Sequence, residues 1–302
     1  GGLNMTRKIF FLIYMTLMFY LLSVYSYGAE LNFANSAFSL KCRAAEFRPG
    51  ELYIFEVRTL DGQKIVSVNG AFLETAMEFY SEGDAFIAMF GVPAKISPHK
   101  YDALINVKTG SGKEVSGSFE IPIRKRIFKV SRLNVDPLYL EYTPETLQRI
   151  EVEKQVLITL WKKTTPEKLW DGMFIYPIAS EITLEFPIKR VFQGEFRSFH
   201  SGIDLRAQDP TEVLAANRGV VVFTGDHFFS GNFVIIDHGR RLFSFYAHLS
   251  AIKVKESDAV EKGQVIAFSG STGRITGPHL HWTIKVNSVN IDPVSITEMK
   301  IY

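Results

Sequence analysis

Residues 231–250 read GNFVIIDHGRRLFSFYAHLS: two apolar runs, Phe233–Asp237 and Arg241–Tyr246, joined through the turn pair Gly239-Arg240. A connection this short cannot hold the helical crossover that parallel neighbours need, so the runs predict an antiparallel pair. The same pattern extends outward. Gly219–Thr224 lies before the Gly231-Asn232 turn, while Val265–Ser269 and Leu280–Val286 follow, separated by a turn at Gly273. Residues 176–302 are therefore expected to form an antiparallel β domain.

Upstream, short alternating runs return. Leu52–Val57 leads to Asp61-Gly62, Lys64–Val68 to Asn69-Gly70, and Ala103–Val107 and Val115–Ile123 flank Gly110-Ser111-Gly112. Strands at this spacing predict a β-sandwich of Ig-like type over residues 29–128, with Arg48-Pro49-Gly50-Glu51 as a turn entering a strand. Residues 129–175 read differently. Thr143-Pro144-Glu145 is a helix start, with a capping hydroxyl, proline at the first helical position and an early acid. Ile150, Lys154, Leu157, Ile158 and Trp161 then share a face of a helix running to about Lys163, and Thr165-Pro166-Glu167 offers a second short start before Trp170. This helical connector either fixes the two domains to each other or lies across a C-terminal cleft. The fold class is mainly β.

Arg7 and Lys8 followed by the apolar run Ile9–Val24 and the small residues at Ser26-Tyr27-Gly28 read as a signal peptide over residues 1–28. An uncleaved N-terminal anchor is the alternative. Export to the periplasm follows from either reading. The single cysteine, Cys42, then reads as a small buried hydrophobe, and stability must come from core packing. The charge balance, 34 basic against 32 acidic side chains, gives no reason to expect nucleic acid as a partner.

Of the seven histidines, most fall between His200 and His281. His279-Leu280-His281 on a strand puts both imidazoles on one face, because side chains alternate with period two. His200 and Asp204 lie four apart, with Ser201-Gly202 allowing a close turn between them. Two imidazoles and a carboxylate from this cluster suit zinc, whose fourth position would then take water. His248 and His279 are available to take a proton and to steady a developing oxyanion. His238 at a hairpin end reads as surface or supporting structure, His227 as a loop residue near the groove, and His99 as exposed. Arg197 is a candidate for a substrate carboxylate, with an ordinary surface charge the simpler reading.

The segments His200-Ser201-Gly202-Ile203-Asp204-Leu205-Arg206-Ala207, Tyr246-Ala247-His248-Leu249-Ser250 and Thr276-Gly277-Pro278-His279-Leu280-His281-Trp282 resemble the lysostaphin/LytM-type zinc endopeptidases. Gly219-Val220-Val221, Gly231–Gly239 and Val260–Gln264 match as well, so the resemblance spans residues 176–295. It implies that His200, Asp204 and His281 bind Zn2+ and that His248 and His279 are the catalytic histidines. It further implies cleavage of peptide bonds in peptidoglycan stem peptides, here D-Ala–diaminopimelate cross-links, with other cell-wall enzymes as further partners. The N-terminal part resembles, more weakly, the Ig-like module of some Gram-negative members. Many relatives carry a Phe-Gly pair where Leu184–Ile188 stands here, which bears on substrate preference. A non-catalytic or latent cell-wall-binding regulator of other hydrolases, and a carboxypeptidase, are the competing readings.

Overall fold

The computed structural model describes residues 28–60, 62–133, 142–163, 165–192 and 195–301. The expected signal peptide therefore lies outside the described residues. Among those described, no helix is long and apolar enough to cross a membrane.

The N-terminal half contains strands β1 (Ala29–Ala34), β2 (Phe38–Ala44), β3 (Leu52–Thr59), β4 (Ile65–Phe72), β5 (Thr75–Met77), β6 (Tyr80–Glu82), β7 (Ala85–Gly91), β8 (His99–Thr109) and β9 (Glu114–Ile123). They form a sheet of order β1-β2-β3-β7-β6 and another of order β5-β4-β8-β9. Alternation explains why they face each other. Phe38, Leu40 and Cys42 on β2 and Tyr53 and Phe55 on β3 meet Phe72, Ile105 and Ile121 from the second sheet in one buried cluster. Cys42 is fully buried there, and burial pushes its thiol up, as expected of a packing residue.

β3 is buried on both faces, and this joins the halves of the molecule. Leu52 and Ile54, with Ile87 and Met89 of β7, belong to the same apolar cluster as Trp282, Ile284 and Ile291 at the other end of the chain. Arg126 seals the edge of that contact. Its guanidinium donates to Glu51 (3.0 Å) and the Pro49 carbonyl (3.1 Å) on one side, and to Asp292 (2.9 Å) and the Phe186 carbonyl (2.8 Å) on the other. Burial, then the neighbouring Asp292 charge, pushes Glu51 up to about 7 despite Arg48 and Arg126. Gly50, at φ +85°, makes the predicted turn before β3.

Helix α1 (Pro144–Leu160) starts where the Thr-Pro-Glu signal placed it, with the Thr143 hydroxyl accepting from Thr146 N–H. Its packed face is narrower than the sequence pattern suggested: Leu157, Leu160 and Trp161 pack, while Ile158 stays partly exposed outside that cluster. The second helix start does not form one. Residues 165–171 are irregular because their backbone groups bond elsewhere: Leu169 N–H donates to His238, Asp171 N–H to Asn217, and the Thr165 carbonyl accepts from Arg240. These bonds tie Trp170 into the core.

The remaining strands are β10 (Val130–Leu133), β11 (Ile182–Leu184), β12 (Lys189–Phe192), β13 (Glu195–Phe199), β14 (Ile203–Arg206), β15 (Glu212–Leu214), β16 (Gly219–His227), β17 (Gly231–Asp237), β18 (Leu242–Ile252), β19 (Ala259–Val260), β20 (Val265–Ser269), β21 (His279–Val286) and β22 (Val289–Ile291), followed by α2 (Pro293–Glu298). The main sheet runs β11-β14-β21-β18-β17-β16-β19, and every pairing within it is antiparallel, as the short turns required. β10, β12 and β13 form a small separate sheet, with β10 and β12 parallel.

The main sheet has two unlike faces. Tyr246, Leu280, Trp282 and Ile284 fill the core shared with β3. Phe233, Phe243 and Ala247 point to the opposite face, where Leu160 and Trp161 of α1 cover them.

His238, expected at the surface or in a supporting place, is completely buried. Its Nδ1–H donates to the Arg218 carbonyl (2.8 Å) and its Nε2 bonds Ser244 Oγ (2.7 Å). Ser244 in turn reaches Tyr246 Oη, which accepts from Ala216 N–H. Burial pushes His238 down to about 4. An unfolded histidine binds its proton below about 6.5, whereas this one stays neutral until about 4, so the fold loses stability as pH falls through that window. Urea unfolding should show a loss between pH 7 and 4.5 that shrinks by roughly 2–3 kcal/mol in a His238→Gln variant. An equal loss in both proteins would contradict this.

Candidate metal centre

Three side chains from two sheets converge on one point. His200 follows the end of β13 in the small sheet, Asp204 lies on β14 in the main sheet, and Asp204 pairs in register with His281 on β21. His200 and Asp204 thus do not share one extended strand; the chain changes sheets at Ser201-Gly202. Both His279 and His281 point to the α1 face, as period two predicted, with Leu280 in the core between them.

His281 Nδ1 lies 2.8 Å from Asp204 Oδ1, and His200 Nε2 lies 3.1 Å from both. The other ring nitrogens are engaged. His200 Nδ1 faces the Glu185 carbonyl (3.1 Å), while His281 Nε2 faces Thr283 Oγ1 (2.9 Å) and Ser201 Oγ (3.0 Å). A carbonyl only accepts, so the His200 proton sits on Nδ1; the two hydroxyls can accept a His281 proton at Nε2, and in that tautomer its Nδ1 is unprotonated. Two nitrogen lone pairs and a carboxylate oxygen are left facing one another in a buried site, an arrangement that a cation at their centre satisfies. Ligands about 2.0–2.1 Å from a tetrahedral zinc lie about 3.3 Å apart, close to the spacing seen. The three residues are a group able to hold a metal ion.

Burial alone would raise the Asp204 carboxyl, but hydrogen bonding to His200 and His281 outweighs it and holds the group well below the usual carboxylate range. Burial pushes His281 down to about 4 against the opposing pull of Asp204. Asp204 and His281 are thus in their metal-binding protonation states at neutral pH.

His248 and His279 stand side by side next to this cluster, their rings 4.8 Å apart, with His248 6.1 Å from His281. His248 reaches the site through a β-bulge. The pairs Val234↔Tyr246 and Asn232↔Leu249 differ by one residue, so β18 carries an extra residue between Tyr246 and Leu249. Period two would have sent His248 into the core beside Tyr246. The bulge, with His248 at φ +65°, turns it to the metal face, and Leu249 resumes the core face. Its Nδ1 then donates to the Thr272 carbonyl (3.0 Å), and His279 Nδ1 to the Gly277 carbonyl (2.9 Å). His248 therefore keeps an unprotonated Nε2, while the Nε2 of His279 lies 3.7 Å from Asp204. Burial pushes His248 down to about 4.

The other sequence candidates fall elsewhere. His227 is buried against Phe223 and Phe233 at the end of β16 and does not line the cluster. His99 is exposed, as expected. The Arg197 side chain lies outside the described side chains. Sequence reading missed the Glu185 carbonyl that orients His200; it singled out Leu184–Ile188 as a departure but had no means of placing a backbone carbonyl.

Residues 198–293 match the sequence model of Peptidase family M23. Over 114 residues the chain is 41% identical to the peptidoglycan DD-endopeptidase ShyA of Vibrio cholerae, covering 37% of this chain and 26% of that protein. Over 97 residues it is 45% identical to the DD-carboxypeptidase/endopeptidase Mpg of Neisseria meningitidis, covering 32% and 22%. The matched stretch thus spans about a quarter of the length of these curated relatives. A crystal structure of an M23 peptidase from Pseudomonas aeruginosa superposes over 83% of this chain and 95% of its own, with a TM-score of 0.62 and 25% identity.

Proposed function

From the Peptidase family M23 domain at residues 198–293, we propose that the protein is a zinc-dependent endopeptidase that hydrolyses peptide bonds in peptidoglycan outside the cytoplasm, in the periplasm, at D-Ala–diaminopimelate cross-links. The observation that carries this reading is the convergence of His200 Nε2, Asp204 Oδ1 and His281 Nδ1, with the opposite ring nitrogens hydrogen-bonded away from that point.

When bound by these three residues, zinc supplies a Lewis acid that polarises the scissile carbonyl and makes water a nucleophile near neutral pH. The chain's own groups do the rest. His248, kept neutral by burial and presenting Nε2, accepts the proton of the attacking water. His279, more exposed and beside Asp204, carries a proton on Nε2 when the oxyanion develops and stabilises it by donation. The Thr272 and Gly277 carbonyls fix which nitrogen each ring presents, so neither imidazole must reorganise during the reaction. A purely docking role would not require buried lone pairs aimed at one point, and this favours catalysis over a regulator without activity.

Purified protein incubated with sacculi should convert cross-linked muropeptide dimers to monomers, identified by mass. A chelator should stop the conversion, and added zinc should restore it. Removal of only a terminal D-alanine would instead make the enzyme a carboxypeptidase. Metal-loaded protein that leaves sacculi untouched would sink the proposal.

A further inference from the structure

One cation near the metal centre makes no recorded ion pair among the described residues. On β12 and β13 the register pairs Lys189 with Phe199 and Arg190 with Ser198. Lys189 lies over the Phe128 ring, which packs on Phe199, so this pair occupies one face of the small sheet. Period two then puts Arg190 on the other face, the one toward which His200 turns as the strand ends; His200 N–H itself bonds the Ile188 carbonyl (2.8 Å). Arg190 is half-buried. Among the described residues no hydrogen-bond or ion-pair partner is recorded for its side chain, and none of its nitrogens is sealed from solvent. Burial pushes its guanidinium down while the Asp204 charge pulls it back, and its own charge is felt by His248. Arg190 therefore lies within electrostatic reach of both the ligand carboxylate and the proton acceptor. Once Asp204 is committed to a metal, its charge no longer serves Arg190.

We infer that Arg190 recognises a substrate carboxylate next to the scissile bond, and thereby sets specificity for that bond. The inference rests on the endopeptidase reading. In a D-Ala–diaminopimelate cross-link the carbon bearing the scissile nitrogen also bears a free carboxylate, a few bonds from the reacting carbonyl. A guanidinium meets a carboxylate with two parallel N–H donors, and an amide in the same place offers it only one weaker acceptor.

The test uses the zinc-loaded protein and two synthetic cross-linked peptides, one with that carboxylate free and one with it as a carboxamide. Wild type should prefer the carboxylate by about 10- to 100-fold in kcat/KM, mostly through KM, the size of a charge-assisted contact. Arg190→Gln should lose that preference, slowing on the carboxylate peptide and holding its rate on the carboxamide. Arg190→Lys should keep part of it, and zinc content should not change. Equal cleavage of both peptides by wild type overturns the inference, as does an equal loss on both in Arg190→Gln. If wild type cleaves neither peptide nor sacculi, the endopeptidase reading fails and takes this inference with it.

Discussion

Replacing His248 by alanine should lower kcat by about 10²- to 10⁴-fold, the range over which a positioned general base acts, while leaving the metal bound. The separation of effects follows from geometry. His248 makes no contact within hydrogen-bonding distance of Asp204, and its one recorded side-chain hydrogen bond is to the Thr272 carbonyl. The metal cluster is held instead by the Glu185 carbonyl, Thr283 and Ser201, for none of which a hydrogen bond to His248 is recorded. Alanine at φ +65° keeps much the same backbone strain as histidine, so the bulge should survive. The loss left to stability is one hydrogen bond, about 1 kcal/mol. Kinetics on a cross-linked peptide, together with zinc content and a thermal unfolding midpoint, decide the matter. Wild-type turnover in His248→Ala would remove it from the mechanism. Loss of zinc would mean that it supports the ligands instead of handling a proton.

His248 also marks where sequence legibility ends. The strands on either side of Gly239-Arg240, the antiparallel pairing and the shared face of His279 and His281 follow from alternation and short turns, and the structure has them all. A bulge does not announce itself in alternation. The predicted run stops at Tyr246 and nothing in Ala247-His248-Leu249 marks a bulge; only the change of register shows that the histidine has changed sides. Burial was harder still to read. His238 carries a polar ring beside a turn, which suggests the surface, but its hydrogen bonds run to a carbonyl and a hydroxyl distant in sequence. The failed helix at Thr165-Pro166-Glu167 has the same origin: a local start signal lost to backbone partners across the fold. The start at Thr143 had no such competitor. Resemblance to known peptidases supplied what spacing could not, namely which of the clustered histidines would hold a metal.

Gly202→Ala should abolish both metal binding and activity, although it adds only a methyl group. The glycine is not needed for its backbone angle, because it is not among the positive-φ positions. It is needed because a Cβ there would stand 2.1 Å from the Trp282 carbonyl oxygen and 2.5 Å from Thr283 Oγ1. Real contacts of this kind begin near 3.0 Å, and a carbonyl in the middle of β21 cannot swing away like the tip of a side chain. β14 must therefore move off β21 at Ile203↔Trp282 and Asp204↔His281, the rung of the ladder that sets the ligand spacing. Thr283, which holds His281 Nε2, is displaced by the same methyl. Two effects compete. A glycine-to-alanine change lowers the entropy of the unfolded chain, worth about 0.4–1 kcal/mol in favour of folding. Overpacking against fixed backbone costs about 1–3 kcal/mol or more, and it wins. Gly277→Ala supplies the control from the same neighbourhood. Its Cβ would meet nothing within 4 Å, although its carbonyl orients His279. That variant should keep its zinc and stay within about 0.5 kcal/mol of wild type. Zinc retained after dialysis and urea unfolding free energies compare the two directly. A Gly202→Ala protein that holds zinc as tightly as Gly277→Ala would show that the β14–β21 spacing does not control the metal site.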